Sequence, residues 1–289
     1  MGLGGWMARN NWPLPWLKTE LQLKISGFII KPTYNEMINE NWNICVRKFK
    51  SLLWSWDCRA LDTFQQKVHV IIVFATRTLW YKAQALPLPG KIAEQFESAT
   101  FRFLWRGKLE KLEKFETKND RSKGGLQVPC IATRAEALFV RQTCRLLKNK
   151  DHNSRKHINF WIGTLLQDWW PDLGTHPAQN IPPHFRHLYN LLQEAINREV
   201  VDVNKLEYVT AKEIYKDYTT TFPTPKIMYK YDLPWDLVFA RLWSTVLEPP
   251  IQSLLFLLVH NILPIRSRLH RLNMMNTDKC KDDGAVEDV

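Results

Sequence analysis

Between Asp62 and Ala83 the apolar residues Phe64, Val68, Ile71, Ile72, Ala75, Leu79 and Ala83 recur at intervals of three and four. Side chains so spaced share one face of an α-helix, and a face that apolar has to be covered. The segment predicts one long amphipathic helix. Asp62 is its expected N-cap, with Gln65 three residues on as a capping-box variant. Pro87 and Pro89 stand beyond its end, where a helix cannot continue.

The same period returns along the chain. Residues 39–56 place Trp42, Val46, Phe49, Leu53 and Trp56 on one stripe, and residues 91–106 do so with Ile92, Phe96, Ala99 and Phe103. Further helices are predicted over 133–148, 152–170 and 184–198, and from a capping box at Thr210–Glu213 to Tyr218. A closing helical pair is expected over 250–261 and 265–273. Residues 19–30 alternate polar and apolar, which predicts one strand, ended by Pro32. Pro223, Pro225 and Pro234 punctuate a loop. The fold class read from this is mainly α, with one N-terminal strand and a second small helical subdomain. The expected divisions are an irregular Trp/Pro-rich lead (1–19), a strand with helices (20–106) and a basic Gly-Gly loop with amphipathic helices (107–170). A Pro-rich connector (171–183), a C-terminal helical subdomain (184–277) and an acidic tail (278–289) follow.

Several function classes lack their signatures. There is no phosphate-cradling Walker A loop, no G-x-G-x-x-G, no H-E-x-x-H, no C-x-x-C and no G-x-S-x-G elbow. Only 11 of the 289 residues are glycine, which disfavours Gly-rich phosphate loops. Asp282-Asp283, the one Asp-Asp pair, lies in the acidic tail and reads as a solvated end. A two-metal site needs its carboxylates on a rigid element. His152 and His157 are five apart, the wrong spacing for one helical face, and read as surface histidines. No catalytic residue, metal or cofactor is assigned, and no enzymatic activity is expected of this chain.

Five cysteines at irregular spacing make no disulfide framework, and no N-x-Ser/Thr sequon occurs. The N-terminus lacks the charged start and apolar run of a signal peptide. The longest apolar stretches, 68–80 and 251–263, fall short of the roughly 18–20 residues that span a bilayer. The expectation is an intracellular protein, nuclear or cytoplasmic, without a membrane partner.

Charge then points to the partner. Lys and Arg number 40 against 29 acids, a net charge of +11, and the pI is about 9.4. Nucleic acid is the first polyanion to consider. Residues 101–123 carry eight bases and four acids. There Trp105 sits among Arg102, Arg106 and Lys108, with Arg121 and Lys123 closing the stretch. Trp105 is open to two readings, a base-stacking platform or a core anchor that ends its helix. In the helix over 133–148, Arg134, Arg141, Arg145 and Lys148 fall within about 60° of one another at 100° per residue. That strip is a phosphate-contacting face or a plain solvated one. Arg77, Trp80, Tyr81 and Lys82 form a third basic and aromatic group, at a spacing that also suits a core.

Taken in order, several stretches resemble the region that follows the polymerase palm in reverse transcriptases of non-LTR (LINE-like) retrotransposons. Leu23-Lys24-Ile25-Ser26-Gly27-Phe28 resembles the strand that ends the palm. Asn41-Trp42 resembles the "NW" that opens the thumb-like helices. Arg59-Ala60-Leu61 through Leu79-Trp80-Tyr81-Lys82-Ala83 resembles "R-x-L…L-W-Y", and Leu86-Pro87-Leu88-Pro89 the "lPLP" after it. Phe103-Leu104-Trp105-Arg106-Gly107-Lys108 resembles "F-(L/I)-W-x-G-K". Gly124-Gly125-Leu126-Gln127-Val128-Pro129 resembles "GGLG(L/V)P", and Ala135–Ala137 the alanine-bearing helix beyond it. Leu263-Pro264-Ile265-Arg266-Ser267-Arg268-Leu269 resembles the lead-in to a C-terminal zinc segment, and Cys280 that segment's first cysteine.

The resemblance covers about residues 20–289 and implies a helical thumb-like bundle. For an intact enzyme of that family it implies target-primed reverse transcription. This chain departs from the pattern in three ways. The cysteine expected near Asp283 is absent, and one thiolate cannot hold zinc, so no zinc is expected. Gln127 stands where a third glycine is usual. The "(F/Y)-x-D-D" carboxylates of the palm do not occur. The expected function is therefore that of a nucleic-acid-gripping C-terminal fragment of an RNA-directed DNA polymerase, not a polymerase alone. Its partners would be RNA, DNA or their hybrid, and a polymerase palm supplied upstream or in trans. The residues expected at the nucleic acid, chosen on charge and clustering, are Arg102, Trp105, Arg106, Lys108, Arg121, Lys123, Arg134, Arg141 and Arg145. An alternative is a domesticated helical scaffold that binds protein through its Trp-rich stripes.

Overall fold

The computed structural model of the chain describes residues 23–59, 61–107, 112–150, 152–174, 180–244, 246–263, 265–273, 275–279 and 284–286. The expected lead (1–19), Lys108, Pro264, Cys280 and the Asp282-Asp283 pair lie outside the described residues. The fold is mainly α, with one small two-stranded antiparallel sheet near the N-terminus.

The chain divides into two compact units, each assembled from three separate segments. The first comprises Met1–Ser55, Ile72–Thr100 and Pro129–Thr221. The second comprises Trp56–Ile71, Phe101–Val128 and Phe222–Val289. This is not the expected linear order of divisions. Of the expected connector (171–183), residues 175–179 lie outside the described residues, and Leu173, at 3% exposure, belongs to the same buried cluster of the first unit as Trp170.

In the first unit, β1 (Leu23–Ile25) and β2 (Phe28–Ile30) pair with Leu23 opposite Ile30 and Ile25 opposite Phe28. Of the single strand expected over 19–30, residues 19–22 lie outside the described residues and 23–30 form a hairpin. Ser26 and Gly27 both take positive φ, 48° and 81°, the geometry of a two-residue turn whose twist matches that of the strands. The alternation of side chains continues through such a turn and conceals it.

Helix α1 (Tyr34–Asp57) buries Ile38, Trp42, Cys45, Val46, Phe49 and Leu53. Trp42 and Phe49 meet Phe96 edge-on at 6.2 and 5.1 Å. Asn41 is fully buried on this helix. Its Oδ1 accepts from the Ile29 N–H at 3.0 Å, and its Nδ2 donates to the Ile29 carbonyl at 2.7 Å and to the Met37 carbonyl at 2.8 Å. One side chain thereby satisfies the backbone groups that β2 turns away from β1, as a third strand would. Lys82 Nζ donates to the Asn41 carbonyl and to its Oδ1, both at 3.1 Å. The Trp42 indole donates to the Pro87 carbonyl at 2.8 Å.

The long helix expected from 64 to 83 is interrupted. It runs as α2 (Phe64–Val70), a π-helical segment (Ile71–Ala75) and α3 (Arg77–Ala83). Ile71, Ala75, Leu79 and Ala83 are all fully buried. Repeated spacing of four drifts around an ordinary α-helix, and a wider turn takes up that drift. Ile72, expected in the core, is 44% exposed as a result. The capping box sits one residue later than expected. Thr63 accepts from the Gln66 N–H, and the Gln66 side chain accepts in return from the Thr63 N–H.

Helices α4 (Gly90–Leu104) and α6 (Ile131–Lys148) follow the sequence closely, with the short α5 (Lys114–Lys118) between them. The helix expected over 152–170 is α7 (Asn153–Ile162) and a 3-10 turn at Thr164–Leu166. Helices α8 (Pro183–Asn197) and α9 (Ala211–Thr220) pack on α6, and α9 opens on the expected Thr210–Glu213 box. Phe139, Val140, Cys144, Leu147, Ile158, Ile162, Leu192 and Ile214 fill the core among them. Each such burial contributes about 1.5–3 kcal/mol.

In the second unit, the expected loop around Pro223–Pro234 is helical. Prolines occupy the N-cap positions of α10 (Lys226–Lys230) and α11 (Trp235–Leu242) and begin these helices. A proline is tolerated where the first N–H groups have no intrahelical partner. The closing pair is α12 (Pro249–Val259) and α13 (Arg266–Arg271). Phe101, Leu104, Trp105, Leu126, Phe239 and Phe256 form this unit's core.

The first unit can be tested at two points. Asn41→Ala removes both bonds to Ile29 and one of the two acceptors of Lys82, so it should lower unfolding stability by about 2–4 kcal/mol. Urea unfolding measures this, and a loss well under 1 kcal/mol would refute the clamp. Burial, aided by the neighbouring His187, pushes the His184 pKa down from 6.5 to about 4. The unfolded chain then binds more protons between those values. On this account stability holds above pH 6.5 and falls as pH drops toward 4, and His184→Gln should shrink that fall.

Candidate nucleic-acid interface

The expected contact residues fall in both units. In the second, α4 ends at Leu104, and the Gly107 N–H donates to the Arg102 carbonyl at 2.8 Å. Arg106 and Gly107 both take positive φ, 51° and 69°. This is a Schellman-type stop with an arginine at the left-handed position. Arg106 is held there by its own side chain. Its guanidinium donates to the Leu61 carbonyl at 2.7 Å and to Asp62 Oδ1 at 2.9 Å. Asp62, expected to cap α2, is engaged in this pair instead. The carbonyl of Leu104 accepts from the buried Lys67 Nζ at 2.8 Å.

Trp105 is 5% exposed and meets Phe64 edge-on at 5.3 Å. Of its two readings, the core anchor holds. A ring so enclosed offers no face to a base. Arg121, half-buried, lies 5.0 Å over the Trp243 ring. Arg102 and Lys123 are exposed, and neither side chain has an ion-pair partner among the described residues.

Lys123 leads into the Gly124-Gly125 turn. Gly124 has φ 76°, and a Cβ there would lie 2.5 Å from the Phe239 ring. A Cβ on Gly125 would lie 1.9 Å from the Asn119 carbonyl oxygen. The segment is pinned beyond it, where the Leu126 and Val128 N–H groups donate to the Thr117 carbonyl at 3.1 and 3.2 Å. His260 bonds the Gly124 carbonyl at 2.8 Å, and burial lowers its pKa. Gln127 takes φ 58°, so the position where a third glycine is usual does require a left-handed backbone.

In the first unit, the strip on α6 splits by role. The Arg134 guanidinium lies 5.4 Å from the Trp80 ring and 5.7 Å from the Tyr215 ring. The residue is still exposed. Contact with two rings restrains the guanidinium, which lowers the entropy lost when it binds an oxyanion. The Tyr215 hydroxyl accepts from the Cys130 N–H at 3.1 Å. Lys148 is paired with Glu207 at 2.8 Å. Arg145 is exposed and Arg141 half-buried, neither in an ion pair among the described residues. The third basic group dissolves. Lys82 turns inward to Asn41, where burial lowers its pKa, and Tyr81 reaches the Ser26 carbonyl at 3.2 Å.

One further basic cluster is not among the residues expected from the sequence. Arg47, Lys48 and Lys50 are exposed on α1 on either side of the fully buried Phe49. The run Arg-Lys-Phe-Lys is its signal, masked by the apolar stripe that it interrupts. Among the described residues, no group of three or more His, Cys, Asp or Glu side chains could hold a metal ion. No described helix is long and apolar enough to cross a membrane.

A left-handed glutamine costs about 1–2 kcal/mol, and glycine would recover part of that against its greater unfolded-state freedom. Gln127→Gly should therefore raise stability by no more than about 1 kcal/mol. A lowered Tm for this variant would refute strain at the turn.

Neither the family models nor the curated proteins contain a match to this chain.

Proposed function

We propose that the chain grips the sugar-phosphate backbone of a nucleic acid, in the manner of the thumb and post-thumb region of a non-LTR retrotransposon reverse transcriptase, without itself supplying polymerase carboxylates. The observation that carries this reading is a set of exposed bases outside any ion pair among the described residues, on a chain of net charge +11. Arg47, Lys48, Lys50 and Arg145 stand so in the first unit, and Arg102 and Lys123 in the second. Arg134 adds a guanidinium in contact with two rings. A surface made only for solubility would intersperse acids among these positions.

The residues behind the family resemblance also serve one another. Asn41-Trp42 bonds the hairpin and Pro87, Lys82 bonds Asn41, and Gly124-Gly125 closes on Asn119 and Phe239. Motifs that interlock in this way are expected of a common scaffold, which supports the resemblance. The scaffold alternative asks the tryptophans to form a surface. Trp42, Trp105, Trp170 and Trp235 are instead buried, while Trp54 is 71% exposed.

Backbone binding of this kind releases counterions, so affinity should fall steeply with salt. Changing Arg134, Arg141 and Arg145 together to Ala should flatten the slope of log K against log salt by about 0.7–0.9 for each phosphate that is no longer neutralised. Lys148→Ala, which removes a base already paired, should leave the slope near that of the parent. Fluorescence anisotropy with labelled RNA and DNA across a salt series reads both. A slope unchanged by the triple substitution removes α6 from the interface.

A further inference from the structure

The first unit holds a cavity of about 500 Å³ to which neither charge nor motif in the sequence points. It opens among the hairpin, α3, α6, α7 and α8. Its size is that of a small-molecule site, and such sites are apolar with a few convergent polar groups. Its apolar walls include Phe28, Tyr81, Phe139 and Phe185. Phe28 and Tyr81 lie 5.3 Å apart, and His184 stands edge-on to Phe139 and Phe185 at 5.5 and 5.4 Å.

Its polar equipment contains no carboxylate, ammonium or guanidinium among the described residues. The described lining residues include Gln84, Gln142, Thr143, Ser154 and three histidines, and none is Asp, Glu, Lys or Arg. Gln142 Oε1 is buried and has no hydrogen-bond partner among the described residues. Such a group is rare in a folded protein and marks a place where a partner belongs. Gln84 spends its Nε2 on the Trp80 carbonyl, which leaves its Oε1 as an acceptor. Burial keeps His184 uncharged at neutral pH. The cavity therefore matches a neutral ligand that has flat aromatic faces and N–H donors on its edge. Among the described lining residues a cation would find no carboxylate, and a phosphate no lysine or arginine.

We propose that this cavity binds the heteroaromatic base of a nucleoside or nucleotide, with the ring against the aromatic walls and an N–H of its edge donating to Gln142 Oε1. Base–aromatic contact and an amide on the base edge are general means of holding a base. The site stands apart from the backbone grip, because an uncharged nucleoside carries no phosphate for Arg102, Lys123 or Arg145 to hold.

The test is isothermal titration of the full chain with adenosine, guanosine, cytidine and uridine, each at low and high salt. At least one should saturate with a Kd of about 0.1–1 mM, equal at both salt concentrations. Gln142→Leu and Tyr81→Ala should each weaken it about five-fold or more. The triple variant Arg102→Ala, Lys123→Ala and Arg145→Ala should bind as the parent does. Tyr81 is 57% exposed, so its variant carries the test if Gln142→Leu does not fold. A single-stranded oligonucleotide that competes with the nucleoside in the triple variant would identify a base within a strand as the occupant, and its failure to compete a free nucleoside. The proposal is overturned if none of the four nucleosides saturates by about 10 mM, if toluene displaces them as well as they displace one another, or if both variants bind like the parent. Loss of salt-dependent RNA binding in the triple variant with nucleoside binding intact would separate the two sites.

Discussion

The first unit is organised around one amide. Asn41 lies on a helix yet bonds like a strand, taking the N–H and carbonyl that Ile29 turns outward. A two-stranded hairpin is marginal by itself in water. Here its free edge ends on a buried side chain, and the buried ammonium of Lys82 fixes the orientation of that side chain by bonding the same residue twice. Lys82 has no carboxylate partner among the described residues. The Asn41 oxygens and the Phe28 ring, 6.0 Å away, face its ammonium, and burial depresses its pKa. The next residue, Trp42, extends the same joint to Pro87. Two adjacent residues thus tie the hairpin, α1 and the end of α3 into one piece.

Helix periodicity is legible wherever the stripe meets an ordinary core. The bounds of α4, α6 and α8 lie within two residues of the expected ones, and the Thr210 box matches to the residue. Expectation and structure part where one signal masks another. The Ser26-Gly27 turn preserves strand alternation, and the π segment preserves an apolar stripe. In the C-terminal part of the second unit, Pro225 and Pro234 resemble breaks, although proline equally begins a helix. The capping box at Thr63 is displaced by one residue because Asp62 also has the right chemistry for a cap. Its carboxylate is taken by Arg106, 44 residues away, which no local pattern reveals.

The candidate interface is legible as charge and not as exposure. Periodicity places four bases on one side of α6, but it does not show that Lys148 is paired or that Trp80 and Tyr215 lie against Arg134. Trp105 is of the same kind, since spacing among arginines suggests a platform and burial makes it an anchor. The aromatic cavity leaves no trace in the sequence because its walls come from five elements between Phe28 and Leu188. What decides function here is which polar groups are already satisfied, and that depends on tertiary partners.

The second unit also has a history written into its connectivity. Phe101, Leu104, Trp105 and Leu126 share a core with Phe239 and Phe256, so the early segment of this unit leaves the ribosome well before its covering helices. At about 5–20 residues per second, the stretch from Val128 to Phe256 takes roughly 6–26 s to synthesise. For that interval the indole of Trp105 and the phenyl rings around it lack the part of their native cover that Phe239 and Phe256 supply. The first unit, whose last core residue is Tyr218, can close sooner. Assembly on the ribosome is therefore staggered, and the late window is when a chaperone that shields apolar segments would matter most.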